Sequence, residues 1–453
     1  MKISANKLYT FLSVFGFVYF CYVILITPQI EPRWNLFPDV NDYKSQAKAD
    51  LTSSDFYAPK PRLWFSPRPC TIPLFFKIAD YDSYKMVMLQ KFTYCICVIS
   101  LLMAILNFIT HFWVKLIAQY SLLLFFTWWN IVGWSDLPLS ESLSISLMFF
   151  WFSSILLYYK RQTVLNLLLL LVATLLLSFT RDTWPYIILL FFLLNIFISK
   201  FLKIGSIKKS LGLLIFSVCL FFTQSYTSNI GERYKLALFN SIVGRVSKND
   251  DYINWFKNEG MPQADRVKSY FKKVVPSTLN GRVYMCARYA DSTSTYKEIF
   301  TWIKKDGKKT YQKFLLTHPY YFFLQDLSGE EVEQNLFAYN LNEYYAESEG
   351  FFVNADNVFP IFNPWIYLLI FSLLLFLLFK TRETMYIFLI VTFLLFVVNA
   401  LITYNADSLE VKRHLYITRI VLEFISLTTL LLLTDYISNL VAKKRSNTLN
   451  LKA

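Results

Sequence analysis

The sequence predicts an all-α polytopic membrane protein with about ten transmembrane helices and two long extracytoplasmic loops. Composition is the first ground: 55% of the 453 residues are hydrophobic, 19% aromatic and only 17% charged, too apolar for a chain whose whole surface meets water. The second is length. A bilayer core takes about 20 mostly apolar residues per helix, and such windows recur at 9–27, 92–110, 116–134, 141–159, 164–180, 183–199, 210–226, 361–379, 384–402 and 415–437. The third is where the cations lie. With the N-terminus cytoplasmic, the short inside segments hold fifteen Lys and Arg, among them Lys115, Lys160, Arg161, Lys208, Lys209, Lys443, Lys444 and Arg445, whereas the short outside loops hold only Arg181, Lys412 and Arg413. That asymmetry predicts both termini inside and both long segments outside.

The first window follows two lysines but lacks a small-x-small cleavage site before Pro28, so it reads as a retained span. The chain divides into residues 1–226, with seven spans and the first outer loop (28–90); the large outer loop 227–360; and residues 361–453, with three spans and a cytoplasmic tail. The large loop is rich in Tyr, Phe and Lys, as in Tyr270-Phe271-Lys272-Lys273, and reads as short amphipathic helices. The net charge of +14 follows from topology and calls for no nucleic-acid partner. Cys70 and Cys286 are the cysteines outside the apolar spans, one in each long loop; a bridge between them and two free thiols are both open.

Several chemistries lack their signatures. The chain carries no P-loop, dinucleotide fingerprint, Cys-x-x-Cys zinc pattern or Gly-x-Ser-x-Gly elbow, and its three histidines have no metal-ligand spacing. No cofactor is required by these residues, and a divalent metal has no support.

The polar residues that remain gather on the outer side. Asp39 opens a stretch in which Tyr43 and Ala47 follow at plus four and plus eight, one face of a short helix. An acid at that position suits a helix N-terminus and equally a general base at the membrane surface; Asp42 is a second acid of the same loop. Arg68 precedes a proline-fixed return, Arg68-Pro69-Cys70-Thr71-Ile72-Pro73. Ser140 reads as a helix cap, and Glu141 is left open. Arg181, Lys412, Arg413 and Arg419 stand against the inside rule, where a phosphate is the ligand that suits planar guanidinium groups. Local pairing, Arg181 with Asp182 and Arg419 with Glu423, is the alternative.

The order of these elements resembles the GT-C class of polytopic glycosyltransferases: a retained span, Asp39 with Tyr43 and Ala47, the Arg68 to Pro73 return, Ser-Glu-Ser-Leu-Ser at 140–144, and Arg-Asp-Thr at 181–183. The similarity covers about the first 200 residues and the overall topology. It implies a bacterial inner-membrane enzyme that takes a sugar from a polyprenyl-phosphate donor and passes it to a cell-surface glycan or lipid acceptor, as in O-antigen decoration of lipopolysaccharide. It assigns the acidic residue near the reacting centre to Asp39, with Asp42 and Glu141 as further candidates. Electrostatics alone assigns Arg68, Arg181, Lys412 and Arg413 to the lipid phosphate. An O-antigen or capsule polymerase is the alternative, on an Arg233 to Gly244 spacing; a lipid flippase or transporter, which would show charges at mid-membrane, is the third reading.

Overall fold

The computed structural model describes residues 5–26, 38–61, 65–202, 207–244, 246–267, 297–321, 364–406 and 411–450. Among them no β-strand occurs, and six helices are long and apolar enough to cross a membrane: Lys7–Ile26, Ser83–Leu106, Ser140–Lys160, Ser210–Ile230, Thr384–Thr403 and Leu415–Lys444. Four shorter apolar helices, Phe112–Phe126, Val164–Ser178, Trp184–Ile198 and Trp365–Thr381, fall in the remaining windows. The chain is a helical membrane protein. Phe11, Leu124, Phe197, Phe222 and Trp365 turn large apolar side chains outward, the surface a hydrocarbon solvent accepts.

Helix α1 (Ala5–Ile26) lies at the periphery, on α5 (Ser83–Leu106) and α6 (Phe112–Phe126). Ser13 Oγ donates to Gln119 Oε1 at 2.5 Å, and Gln119 Nε2 returns a bond to the Ser13 carbonyl at 3.0 Å. The first polar segment folds into α2 (Pro38–Ala47), α3 (Ser54–Tyr57) and α4 (Thr71–Ile78). Helix α5 starts nine residues before the apolar window at 92, because Asp82 caps it by accepting from Lys85 N at 2.8 Å.

The window 116–134 is not one helix. Helix α6 stops at Phe126, and α7 (Trp129–Val132) and a 3-10 turn (Gly133–Asp136) follow. Residues 131–139 are buried although the backbone is irregular, which hydrocarbon tolerates only where protein covers it. Helix α8 (Ser140–Lys160) then runs through the middle of the bundle, packed on α5 and α9 (Val164–Ser178). Trp151 packs edge-on against Phe191, and Phe152 edge-on against Phe388 and Phe396 and stacked on Phe424.

Helices α10 (Trp184–Leu202) and α11 (Ile207–Ile230) pair with each other. The second polar segment contributes α12 (Tyr234–Gly244), α13 (Asp250–Asn258), α14 (Lys297–Trp302), a π turn (Ile303–Gly307) and α15 (Lys308–Thr317). These helices bury a core of their own around Phe239, Phe256, Phe300, Ile303 and Phe314. Tyr311 joins it to the bundle, its hydroxyl donating to the Asn405 carbonyl at 2.7 Å. Helices α16 (Pro364–Thr381), α17 (Thr384–Ala406) and α18 (Val411–Asn450) complete the bundle. At the end away from the polar segments, Asp435 of α18 accepts from the backbone N–H groups of Thr110 and His111, at 3.2 and 2.7 Å, where α6 begins.

Candidate functional site

The opposite end of the bundle gathers the polar residues. Helix α4 docks there, with Thr71 N–H donating to the Phe179 carbonyl at 3.0 Å and Thr71 Oγ1 to that of Leu176 at 2.9 Å. This brings the first polar segment against the turn that carries Arg181. Lys77 ties α4 back to α2 through the carbonyls of Ala47 and Ala49.

Arg68 is held by its backbone and its side chain. Gln46 accepts from Arg68 N–H at 2.9 Å and donates to the Arg68 carbonyl at 2.8 Å, a reciprocal clamp. The guanidinium then bridges Asp39 at 2.5 Å and Asp42 at 3.2 Å. The two acids differ in surroundings. Asp42 is fully buried and also accepts from Ser66 N–H at 3.2 Å, whereas the Asp39 side chain keeps 14% of its surface open. The first carboxylate is built into the turn; the second faces outward.

Tyr43 sits between the acids and the bundle, stacked on Phe76 with the Arg68 guanidinium 5.8 Å from its ring. Burial first, and then the Asp39 charge, push its phenol far above the ordinary value, against the opposing pull of Arg68 and a hydrogen bond to Ser140. Tyr43 therefore remains a neutral hydroxyl. Ser140 is the first residue of α8 and caps nothing: its hydroxyl donates to Glu141 Oε2 at 3.1 Å. Glu141, left open by the sequence, is buried and faces Arg181 at 3.6 Å.

The local pairing of Arg181 with Asp182, the alternative to a phosphate role, does not form. Asp182 instead takes Arg233, whose Nε lies 2.9 and 3.1 Å from the two carboxylate oxygens and whose Nη2 lies 2.8 Å from Oδ1; Arg233 also donates to Thr227. Arg233 is thereby committed to closing α11 onto the 179–183 turn. Gly231 permits that approach, since a Cβ there would lie 3.0 Å from Pro67 Cβ. Arg181 differs from it. Among the described residues Glu141 is the one acidic partner of its guanidinium, too far for a good hydrogen bond.

Other sequence candidates stand apart. Arg419 pairs with Glu423 at 2.9 Å within α18, as an i, i+4 spacing allows, and lies over Trp128. The Lys412 and Arg413 side chains and Cys286 lie outside the described residues. Cys70 precedes α4, and burial pushes its thiol up to about 11. Among the ion pairs that sequence reasoning missed, Lys91 of α5 with Asp136 is buried on both sides, 2.6 Å apart. Among the described residues no group of three His, Cys, Asp or Glu is placed to hold a metal. No family model matches the chain, and comparison with curated proteins and with solved structures found no match.

Proposed function

We propose that this protein is a membrane glycosyltransferase that moves a sugar from a polyprenyl-phosphate donor to a cell-surface glycan or lipid acceptor on the extracytoplasmic face, through about ten spans with both termini cytoplasmic. The observation that carries the reading is Arg181. A guanidinium has five N–H donors, this one is mostly buried, and its acidic partner stands 3.6 Å away. Its side chain stays 14% exposed, so the donors that Glu141 leaves unused remain open to a ligand, and a phosphate supplies oxygens in the planar geometry a guanidinium matches.

In this mechanism Arg181 takes the donor phosphate and Asp39 takes the proton of the acceptor hydroxyl as it attacks the anomeric carbon. The carbon–oxygen bond to the lipid phosphate breaks as the new glycosidic bond forms. A single displacement inverts the anomeric centre, and the departing phosphate is stabilised by the cation. Tyr43 stands within reach of the charges of both Asp39 and Glu141 and hydrogen-bonds Ser140, and Glu141 faces Arg181. Asp42 and Gln46 hold Arg68, which in turn orients Asp39.

Mass spectrometry of surface polysaccharide from cells with and without the gene tests the reading. Loss of one hexose from an otherwise intact chain is expected; loss of all long chains would favour a polymerase, and an unchanged glycan would remove the proposal.

A further inference from the structure

The buried pair Lys91–Asp136 needs an explanation of its own. Lys91 lies eight residues into α5, about 12 Å along the helix, within a span that crosses the membrane. Its ammonium is 2.6 Å from Asp136, and both side chains are almost wholly enclosed, 2% and 3% exposed. Charges in such surroundings are expensive and are kept where they do something.

What they hold is the approach to Glu141. Asp136 closes the 3-10 turn, after which Leu137 and Leu139 are extended (φ −102°, ψ 121° and φ −114°, ψ 166°) and α8 begins at Ser140. Leu139 offers α8 no side-chain cap. The neighbouring residue of α5, Gln90, reaches the Leu139 carbonyl at 3.4 Å. Helix α5 therefore holds the segment at both ends, through Lys91 at Asp136 and through Gln90 at Leu139. Beyond the second hold come Ser140, hydrogen-bonded to Glu141, and Glu141 itself, opposite Arg181.

We infer that Lys91 and Asp136 are positioning residues: their ion pair sets where the first turn of α8 stands, and so sets Glu141 against Arg181. The inference rests on the proposed transferase only for its kinetic consequence. The geometric consequence stands apart from it, because a pair that merely fills space can be exchanged for apolar side chains without loss, often with a gain in stability.

The test uses the full chain in lipid nanodiscs, comparing wild type with Lys91→Met/Asp136→Leu and with Asp136→Glu. Three quantities are read: the unfolding temperature, amide hydrogen exchange of the peptide 139–144, and kcat and KM for transfer from a synthetic polyprenyl-phosphate hexose. The apolar double variant is expected to unfold at or above the wild-type temperature, yet to exchange faster across 139–144 and to lose about 10- to 100-fold in kcat at unchanged donor KM, the scale on which a 1 Å misplacement acts. Asp136→Glu keeps both charges and lengthens the tether by one methylene; it is expected to fold and to lose roughly tenfold in kcat. Should the double variant not fold, Asp136→Glu decides alone. Wild-type exchange and wild-type kcat in the folded variants would overturn the inference. If wild type itself transfers no sugar, the proposed function fails, and the exchange comparison still decides whether the pair positions α8.

Discussion

Replacing each acid of the Arg68 bridge in turn should separate chemistry from stability. In Asp39→Asn the lost ion pair is short, 2.5 Å, but its side chains are 14% and 22% exposed, so solvent limits its worth to ~1 kcal/mol. Arg68 also keeps Asp42. The loss of a general base is larger, about 10²- to 10⁴-fold in rate, or roughly 2.7–5.4 kcal/mol of barrier. Asp42→Asn reverses the balance: its carboxylate is 1% exposed and holds both Arg68 and the Ser66 N–H, so its neutralisation should remove about 1–3 kcal/mol of stability and leave turnover less affected. The assay pairs thermal unfolding, followed by tryptophan fluorescence, with transfer kinetics on the same preparation. Asp39→Asn is expected to unfold near the wild-type temperature with kcat lowered and donor binding intact. The opposite crossing, a stable and inactive Asp42→Asn beside a fully active Asp39→Asn, would refute the assignment of the base.

Arg181→Lys keeps the charge but not the planar fork and should weaken donor affinity about tenfold; unchanged affinity would return Arg181 to a purely structural role. A membrane-impermeant thiol reagent should label a cysteine placed at 250 and spare one placed at 447 in intact cells, the reverse pattern inverting the topology. Glu232 is held below the ordinary 4.5: burial pushes its carboxyl up, but hydrogen bonds and charge from Lys235 and Lys304 outweigh it. With the folded value depressed, the stabilisation is complete above about 4.5 and is lost as pH falls through that lower value; hydrogen exchange in α12 and the π turn should rise in that acidic window and not at neutral pH. Gly231→Ala meets the rigid Pro67 ring and should cost about 1–3 kcal/mol, read as a lowered unfolding temperature.

The helices were legible where the bilayer dictates length, and less so where a distant side chain cancels a charge. The window at 92 began too late because Lys85, Gln90 and Lys91 depress local hydropathy, whereas the residue that neutralises Lys91 is Asp136, 45 positions away (136 minus 91). Arg419 with Glu423 was readable because residues four apart share a helix face. Arg181 and Asp182 lie in a turn, where no helix face sets their directions; their partners are Glu141 of α8 and Arg233 of the turn between α11 and α12. Asp39, Asp42, Arg68, Glu141 and Arg181 were all named from the sequence as residues of one outer face. What the sequence did not reveal was the supporting role of Tyr43, Gln46 and Ser140, which depends on α2 and α4 folding back onto the start of α8. Nor did it reveal the separate core of α12 to α15, whose short apolar runs have no bilayer to set their length.

Asp435 carries a consequence for biosynthesis. The backbone groups it accepts from, at Thr110 and His111, open α6, and they lie 325 and 324 residues earlier in the chain. At ~5–20 residues per second, the ribosome needs on the order of tens of seconds after making α6 before its acidic partner exists. Over that interval the start of α6 lacks the Asp435 carboxylate that it bonds in the finished fold. Completion of the third apolar helix is thus deferred to the synthesis of the last, and a chain stopped before residue 435 should be cleared by quality-control proteases even though its earlier helices have already been inserted.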